Sequence, residues 1–380
     1  MKILKKMMQV GLTTFFFGLL ATNTVFADTT GGQFVDKDNR KYYVKDDHKA
    51  IYWHKIDGKT YYFGDKGEMV VGWQYLEIPG TGYRDNLLDN QPVKEIGLQQ
   101  KWYYFSSDGA LLEQTDKQVL EAKTSENTGK VYGEQYTPSA EKRTYYFDNN
   151  YAVKTGWTYE DGNWYYLNKL GISGDDSYNP LPIGEVAKGW TQDFHVTFGI
   201  DISKPAPWYY LDPETGIMQT GWQYLGNRWY YLRSSGAMAT GWYQDGSTWY
   251  YLDNKNGDMK TGWQYLGNNW YYLRSSGAMA TGWYQDGSTW YYLDNKNGDM
   301  KTGWVYVGNR WYYLRSSGAM TTGWYQDGST WYYLDNKNGD MTTGWFQVNG
   351  KWYYAYSSGA LAVNTAVDGY YVNYNGEWIR

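Results

Sequence analysis

The chain has 380 residues, a formal charge of -5, no Cys, and 20% aromatic residues that include 22 Trp and 44 Tyr. The acidic balance argues against nucleic acid or anionic lipid as the main partner. The lack of Cys excludes a disulfide framework and thiolate metal sites.

Residues 1–27 read as a secretory signal. Lys2, Lys5 and Lys6 are followed by an apolar run from Met7 to Ala21, then Val25-Phe26-Ala27 as a cleavage site. The run is short for a membrane span. No second apolar run follows, and no Leu-Pro-x-Thr-Gly motif stands near the C-terminus, so neither a transmembrane segment nor a covalent attachment is expected after signal cleavage. The exported protein is expected to be released or held by its own binding sites.

Residues 28–187 look like a degraded repeat. Tyr42-Tyr43, Tyr61-Tyr62-Phe63, Trp102-Tyr103-Tyr104-Phe105, Tyr145-Tyr146-Phe147 and Trp164-Tyr165-Tyr166-Leu167 echo one strand. Gly72-Trp73 and Gly156-Trp157 echo another, as does Gly189-Trp190 just beyond. Insertions separate them at Glu77 to Gln100, Glu113 to Arg143 and Lys169 to Lys188, and Thr191 to Pro207 stretches a further hairpin. Such insertions map to loops, either a binding face or tolerated surface excursions.

Residues 188–380 hold the regular block. From Gly221 to Tyr354, Gly-Trp, a short turn and Trp-Tyr-Tyr recur seven times, spaced alternately 20 and 21 residues apart. A fixed period means stacked units that bury their faces against neighbours. Each unit reads as a β-hairpin. Asp245-Gly246, Asp286-Gly287 and Asp327-Gly328 are the expected two-residue turns in one set. Gly226-Asn227, Gly267-Asn268, Gly308-Asn309 and Asn349-Gly350 serve the others. Gly221 to Tyr354 contains no Pro, as unbroken ladders require.

A turn at Asp245-Gly246 sets Trp242 opposite Trp249, with Tyr251 on the same face and Tyr250 on the reverse. Stacking then brings Trp222 and Trp229 of one hairpin to Tyr250 of the next. Met238, Met259, Met279, Met300, Met320 and Met341 recur beside these holes as an apolar wall. A hole of π faces without a charged partner suits a quaternary ammonium ion. Each aromatic contact contributes about 0.5–2 kcal/mol. Three contacts, less ordering costs, leave affinity of roughly millimolar order, near about -4 kcal/mol. Several such sites on one chain gain about 10²-fold on a surface studded with ligand. Pure core packing is the competing reading, and it fits the Tyr on the tryptophan face and Leu232.

These motifs resemble the choline-binding repeats of pneumococci and their phages: Gly-Trp, the turn, Trp-Tyr-Tyr-Leu and Gly-x-Met at a period near 20, over residues 221–363. The likeness extends more weakly back to about residue 40. It implies an all-β fold, a left-handed β-solenoid of stacked β-hairpins, with divergent N-terminal repeats carrying loop insertions. It also implies non-covalent attachment to phosphocholine of wall teichoic and lipoteichoic acids. The family's sites take two Trp from one repeat and a Tyr from the next. By position these are Trp222, Trp229 and Tyr250; Trp242, Trp249 and Tyr271; Trp263, Trp270 and Tyr291; Trp283, Trp290 and Tyr312; Trp304, Trp311 and Tyr332; and Trp324, Trp331 and Tyr353. The middle Tyr rests on strand parity, and the last Tyr of each motif is the alternative. Trp157 with Trp164, and Trp190 with Trp208, are further pairs. Trp345 with Trp352 lacks a regular following repeat, and Trp73 lies too far along the chain from Trp102 to be counted as a pair.

No enzyme is expected. No segment between repeats exceeds about 30 residues, far below a catalytic domain. His48, His54 and His195 lack metal spacing and read as ordinary surface or loop residues. Asp46-Asp47 and Asp175-Asp176 are adjacent carboxylates that alternate faces on a strand, so they read as solvated loop charges. Asp201, Asp212 and Glu214 form no motif. No cofactor is expected. The resemblance suggests a modulator of wall hydrolases or a host-facing adhesin, with a hydrolase or host protein meeting the N-terminal half. Glucan-binding repeats, which also use aromatic hairpins, are the alternative class, and a purely structural spacer is a third.

Overall fold

The computed structural model describes residues 31–79, 85–90, 99–169, 181–193 and 206–379. The signal segment, Asp175-Asp176, His195 and Asp201 lie outside them. The described residues are all-β, with no helix among them, and therefore none that could cross a membrane. The chain divides into two compact units, residues 1–221 with 232–238, and residues 222–231 with 239–380.

In the second unit the expected hairpins form, among them Gly241–Asp245 with Thr248–Leu252 and Gly262–Leu266 with Asn269–Leu273. The hairpins stack into a β-solenoid through backbone hydrogen bonds across repeats. Met259 N donates to Trp229 O at 2.8 Å, Met279 N to Trp249 O at 2.8 Å, and Met300 N to Trp270 O at 2.8 Å. One Leu per repeat, at Leu252, Leu273, Leu293, Leu314 and Leu334, is fully buried and forms the narrow core. Isolated two-stranded hairpins are marginal in water, so these inter-repeat bonds and this core hold the unit together.

The turns correct one detail of the sequence reading. Asp245 pairs with Thr248, so the loop is Gly246-Ser247, and Trp242 stands opposite Tyr251 while Trp249 stands opposite Gln244. Only Gly246 takes positive φ, at 59°, the pattern of a turn with Gly first and an ordinary second residue. Asp286–Thr289 and Asp327–Thr330 pair the same way. The alternate repeats turn as expected, with positive φ at both Gly267 (55°) and Asn268 (68°). Moving the turn by one residue shifts each pairing partner by two. That leaves every side chain on the face that parity assigned it.

In the first unit the same hairpins survive around insertions. Val70–Glu77 pairs with Gln100–Phe105, Gly156–Glu160 with Asn163–Leu167, and Gly189–Gln192 with Trp208–Leu211. Aromatics that are half-exposed elsewhere are here sealed: Trp53 and Trp73 have no exposed surface. Asp46-Asp47 is a hairpin turn, with φ of 50° and 63°. His48 makes an exposed contact with Asp89 at 3.0 Å. His54 departs from the expectation of a surface residue. It is fully buried, and its Nε2 donates toward Leu87 O at 2.8 Å and Ile51 O at 3.1 Å. Two carbonyls satisfy the imidazole, and burial holds its pKa below the usual histidine value.

Candidate functional site

Each hairpin of the second unit places its Gly-Trp tryptophan and its second tryptophan on one face. The rings meet edge to face: Trp222–Trp229 at 6.5 Å and 82°, Trp242–Trp249 at 6.4 Å and 83°, Trp263–Trp270 at 6.4 Å and 81°. Trp283–Trp290 and Trp324–Trp331 repeat this at 6.5 and 6.4 Å. The Tyr from the following hairpin closes a third side. Trp222–Tyr250 are 4.8 Å apart, Trp242–Tyr271 4.9 Å, Trp263–Tyr291 4.8 Å, Trp283–Tyr312 4.7 Å, Trp304–Tyr332 4.8 Å and Trp324–Tyr353 4.9 Å. The middle Tyr reaches the neighbouring tryptophan, as strand parity requires. The last Tyr instead packs on the tryptophan of its own hairpin, Tyr251 on Trp242 at 5.2 Å, and is buried.

These triads enclose open cavities. Trp222, Trp229, Tyr250, Met259 and Ser276 line one of ≈ 290 Å³. Trp263, Trp270, Tyr291, Met300, Ser316 and Ser317 line another of ≈ 300 Å³. Leu361 takes the Met position against Trp324, Trp331 and Tyr353. The second tryptophan of each repeat stays about 40% exposed, for example Trp270 at 43% and Trp331 at 41%. A ring that folding leaves half in water is poorly accounted for by core packing. The recurring Met reaches its wall because its own N–H bonds to the carbonyl of the second tryptophan one repeat back.

Two polar features escaped the sequence reading. The serines at the cavity rim come from a more distant link, such as Ser276 beside Trp222. In alternate repeats the indole N–H is held by an aspartate at the tip of the next hairpin. Trp222 Nε1 donates to Asp245 at 3.0 Å, Trp263 to Asp286 at 2.9 Å and Trp304 to Asp327 at 3.0 Å. The intervening hairpins end in Leu266, Val307 and Val348 instead. The alternating 20- and 21-residue period carried this signal, since every second tip bears an Asp.

Three pairs gain walls that the sequence did not reveal. Trp345 and Trp352 share a cavity with Tyr370 and Trp378, so the C-terminal strands supply the missing side. Trp157 meets Tyr209 at 4.6 Å, Met218 N bonds Trp164 O at 2.8 Å, and Trp157 Nε1 donates to Asp193 at 3.0 Å. Trp73 and Trp102, set aside as too distant, face each other at 6.4 Å and 87°. Loop-closure cost grows only slowly with length, so the inserted loop leaves strand pairing intact. Trp190 packs on Tyr210 at 5.2 Å, and Trp208 remains 39% exposed. Among the described residues no cluster of three or more His, Asp or Glu side chains is grouped to hold a metal. The first unit also holds a polar cavity of ≈ 370 Å³, lined in part by Lys117, Lys142, Arg143 and Glu185, whose chemistry is unlike that of the aromatic triads.

Fold and site together define a binding protein whose repeats carry aromatic cages. A choline-binding repeat model matches residues 219–261, 260–302 and 301–346. A cell wall binding repeat matches residues 53–69, 99–111, 155–172 and 343–361. The crystal structure of choline binding protein F from Streptococcus pneumoniae, solved in the presence of a peptidoglycan analogue, is 73% identical. That match covers 93% of this chain and 100% of the other, with a TM-score of 0.57. CbpJ from Streptococcus pneumoniae is 51% identical over 92% of this chain and 100% of its own, with a TM-score of 0.38. Glucosyltransferase-S of Streptococcus mutans is 31% identical over 146 residues, 36% of this chain. The chain spans about a tenth of the length of that curated relative. The chain belongs to the choline-binding repeat proteins, and binding to the cell wall is the role its repeats carry.

Proposed function

We propose that this is a secreted, non-catalytic surface protein that binds phosphocholine of teichoic and lipoteichoic acids through its aromatic cages. The observation that carries the reading is the recurrence, in successive repeats, of a tryptophan against the tyrosine of the next hairpin, with open cavities at the Trp222, Trp263 and Trp324 triads. A trimethylammonium group has no hydrogen-bond donors, so it gains from π faces what it loses in hydration. Weak single sites become firm attachment when several engage one decorated surface. Many occupied sites also compete with any wall hydrolase that uses the same ligand. The chain thereby modulates autolysis by occupancy, and the N-terminal unit is free to meet a hydrolase or host protein as an adhesin.

The test is retention of residues 28–380 on a trimethylammonium resin. Elution by free choline, but not by sodium chloride of equal ionic strength, supports the cages. Equal elution by both reduces the interaction to charge attraction by an acidic protein. A second reading, carbohydrate binding, draws on the partial likeness to glucosyltransferases. It requires retention on dextran without competition by choline. For the modulator role, unchanged autolysin activity on choline-containing walls at saturating protein counts against occupancy.

A further inference from the structure

One cage of the first unit is built to the same dimensions as the others but is already filled. Trp73 and Trp102 meet at 6.4 Å and 87°, against 6.4–6.5 Å and 81–84° in the regular repeats. Tyr145 stands where the regular repeats have the first Tyr of Trp-Tyr-Tyr, and it lies 4.6 Å from Trp73, against 4.7–4.9 Å elsewhere. Val153 N bonds Trp102 O at 2.9 Å, as Met259 N bonds Trp229 O. The repeat geometry is therefore complete, with Val153 where the regular repeats have Met.

Into this cage runs Lys123, from the insertion between Glu113 and Arg143. Its ammonium lies 4.0 Å from the centre of the Tyr145 ring, 4.8 Å from Trp73 and 5.6 Å from Trp102. The side chain has no exposed surface, and among the described residues no hydrogen-bond partner reaches its Nζ. Glu185 stands 3.8 Å away as a counter-charge. An ammonium normally uses three donors. Buried here with no acceptor within hydrogen-bond reach of its N–H groups, it is held by three π faces and one carboxylate, much as a quaternary ammonium is held. Burial draws its pKa down to about 7, partly opposed by Glu185.

The segment that delivers it is itself secured. Trp73 Nε1 donates to Glu121 O at 3.0 Å, Trp73 N to Asn127 O at 3.2 Å, and Gly129 N to Trp73 O at 2.9 Å. The Asn127 side chain, fully buried, bonds Ala122 O and Thr124 N, both at 2.8 Å. The insertion thus folds over the tryptophan and lodges one of its four lysines, Lys123, among the three rings.

We infer that the Trp73–Trp102–Tyr145 cage is a quaternary-ammonium site that the chain occupies with its own Lys123, so that removing this side chain opens an additional ligand site. The inference rests on the proposed reading of the cages. It gives the insertion a defined role, which is to close one cage from within and subtract it from the set available to the wall.

The test uses the full mature chain and tetramethylammonium, the smallest quaternary ammonium ion. Binding is counted by equilibrium dialysis for the native protein, Lys123→Ala and Lys123→Met. Lys123→Ala is expected to bind one more ion per chain than the native protein. Lys123→Met, which refills the cage without charge, is expected to bind the native number. Crystals of Lys123→Ala grown with the ion should show it between Trp73, Trp102 and Tyr145. An unchanged count in a folded Lys123→Ala overturns the inference and leaves the other cages untouched. No binding by the native protein overturns the cage reading instead. If Lys123→Ala folds only when tetramethylammonium is added, the inference stands; if it folds under neither condition while Lys123→Met folds, the emptied cage does not accept the ion and the inference fails.

Discussion

Replacing Trp270 by alanine separates a cage wall from a core residue. Trp270 is 43% exposed, so folding hides a little more than half of its surface. A tryptophan buries on the order of 150–250 Å² when enclosed. Half of that at about 25 cal/mol per Å² gives about 2–3 kcal/mol, and a compact denatured state lowers it to about 1.5–2.5 kcal/mol. The ligand effect is distinct. Losing one π face costs about 0.5–2 kcal/mol of cation binding, or about 2- to 30-fold in affinity at that site. A site at tenfold excess of ligand over its Kd stabilises the fold by about 1.4 kcal/mol. Urea unfolding with and without choline therefore reads both numbers. Trp270→Ala should lower stability without choline and also lose about one site's share of the choline-dependent gain. Leu273, on the adjacent core position and fully buried, is the control. Leu273→Ala should cost about 2–5 kcal/mol and keep the whole choline-dependent gain. If Trp270→Ala keeps that gain in full, Trp270 is packing rather than a wall, and the cage argument for its equivalents fails.

Other expectations follow from the same geometry. Gly277 has φ of 82°, and a Cβ there would run into the Met259 side chain, so Gly277→Ala should destabilise the second unit by about 1–3 kcal/mol, seen as a lower urea midpoint. Asn268 has φ of 68° in a two-residue turn; Asn268→Gly should be nearly neutral and Asn268→Val clearly destabilising in the same assay. His54 is buried neutral with its pKa lowered below 6.5, so its share of stability is fully present above pH 6.5. That share is lost as pH falls from 6.5 toward the folded value, because only the unfolded chain then takes up the proton. Unfolding of His54→Gln should lack this loss between pH 6.5 and 5, and an identical pH profile for both proteins would remove His54 from the explanation. Tyr250→Phe should bind choline nearly as well as the native protein, since the ring face rather than the hydroxyl forms the wall, whereas Tyr250→Ala should weaken that one site severalfold by dialysis.

The repeat phase alone determined the all-β class, which strands join as hairpins and the face carrying each aromatic side chain in the regular block. The reason is the two-residue alternation of a strand. An error of one residue in placing the Gly246-Ser247 loop moves pairing partners by two and returns every side chain to the same face. Trp242, Trp249 and Tyr271 therefore converge as parity requires, although the first two are not directly opposite. The fully buried leucines were legible for the same reason. Tertiary structure decided the rest. The aspartates that hold alternate indoles come from a neighbouring hairpin, a juxtaposition set by stacking rather than by local pattern. Trp73 and Trp102 pair across an insertion, because closing a longer loop costs little more than closing a short one. His54 looked like any loop histidine until two carbonyls closed around it. Nothing in the sequence sets Lys123 apart from Lys117, Lys130 and Lys142 of the same insertion. Only the folded insertion brings its ammonium among three rings, where desolvation and π attraction, both properties of the assembled site, set its role.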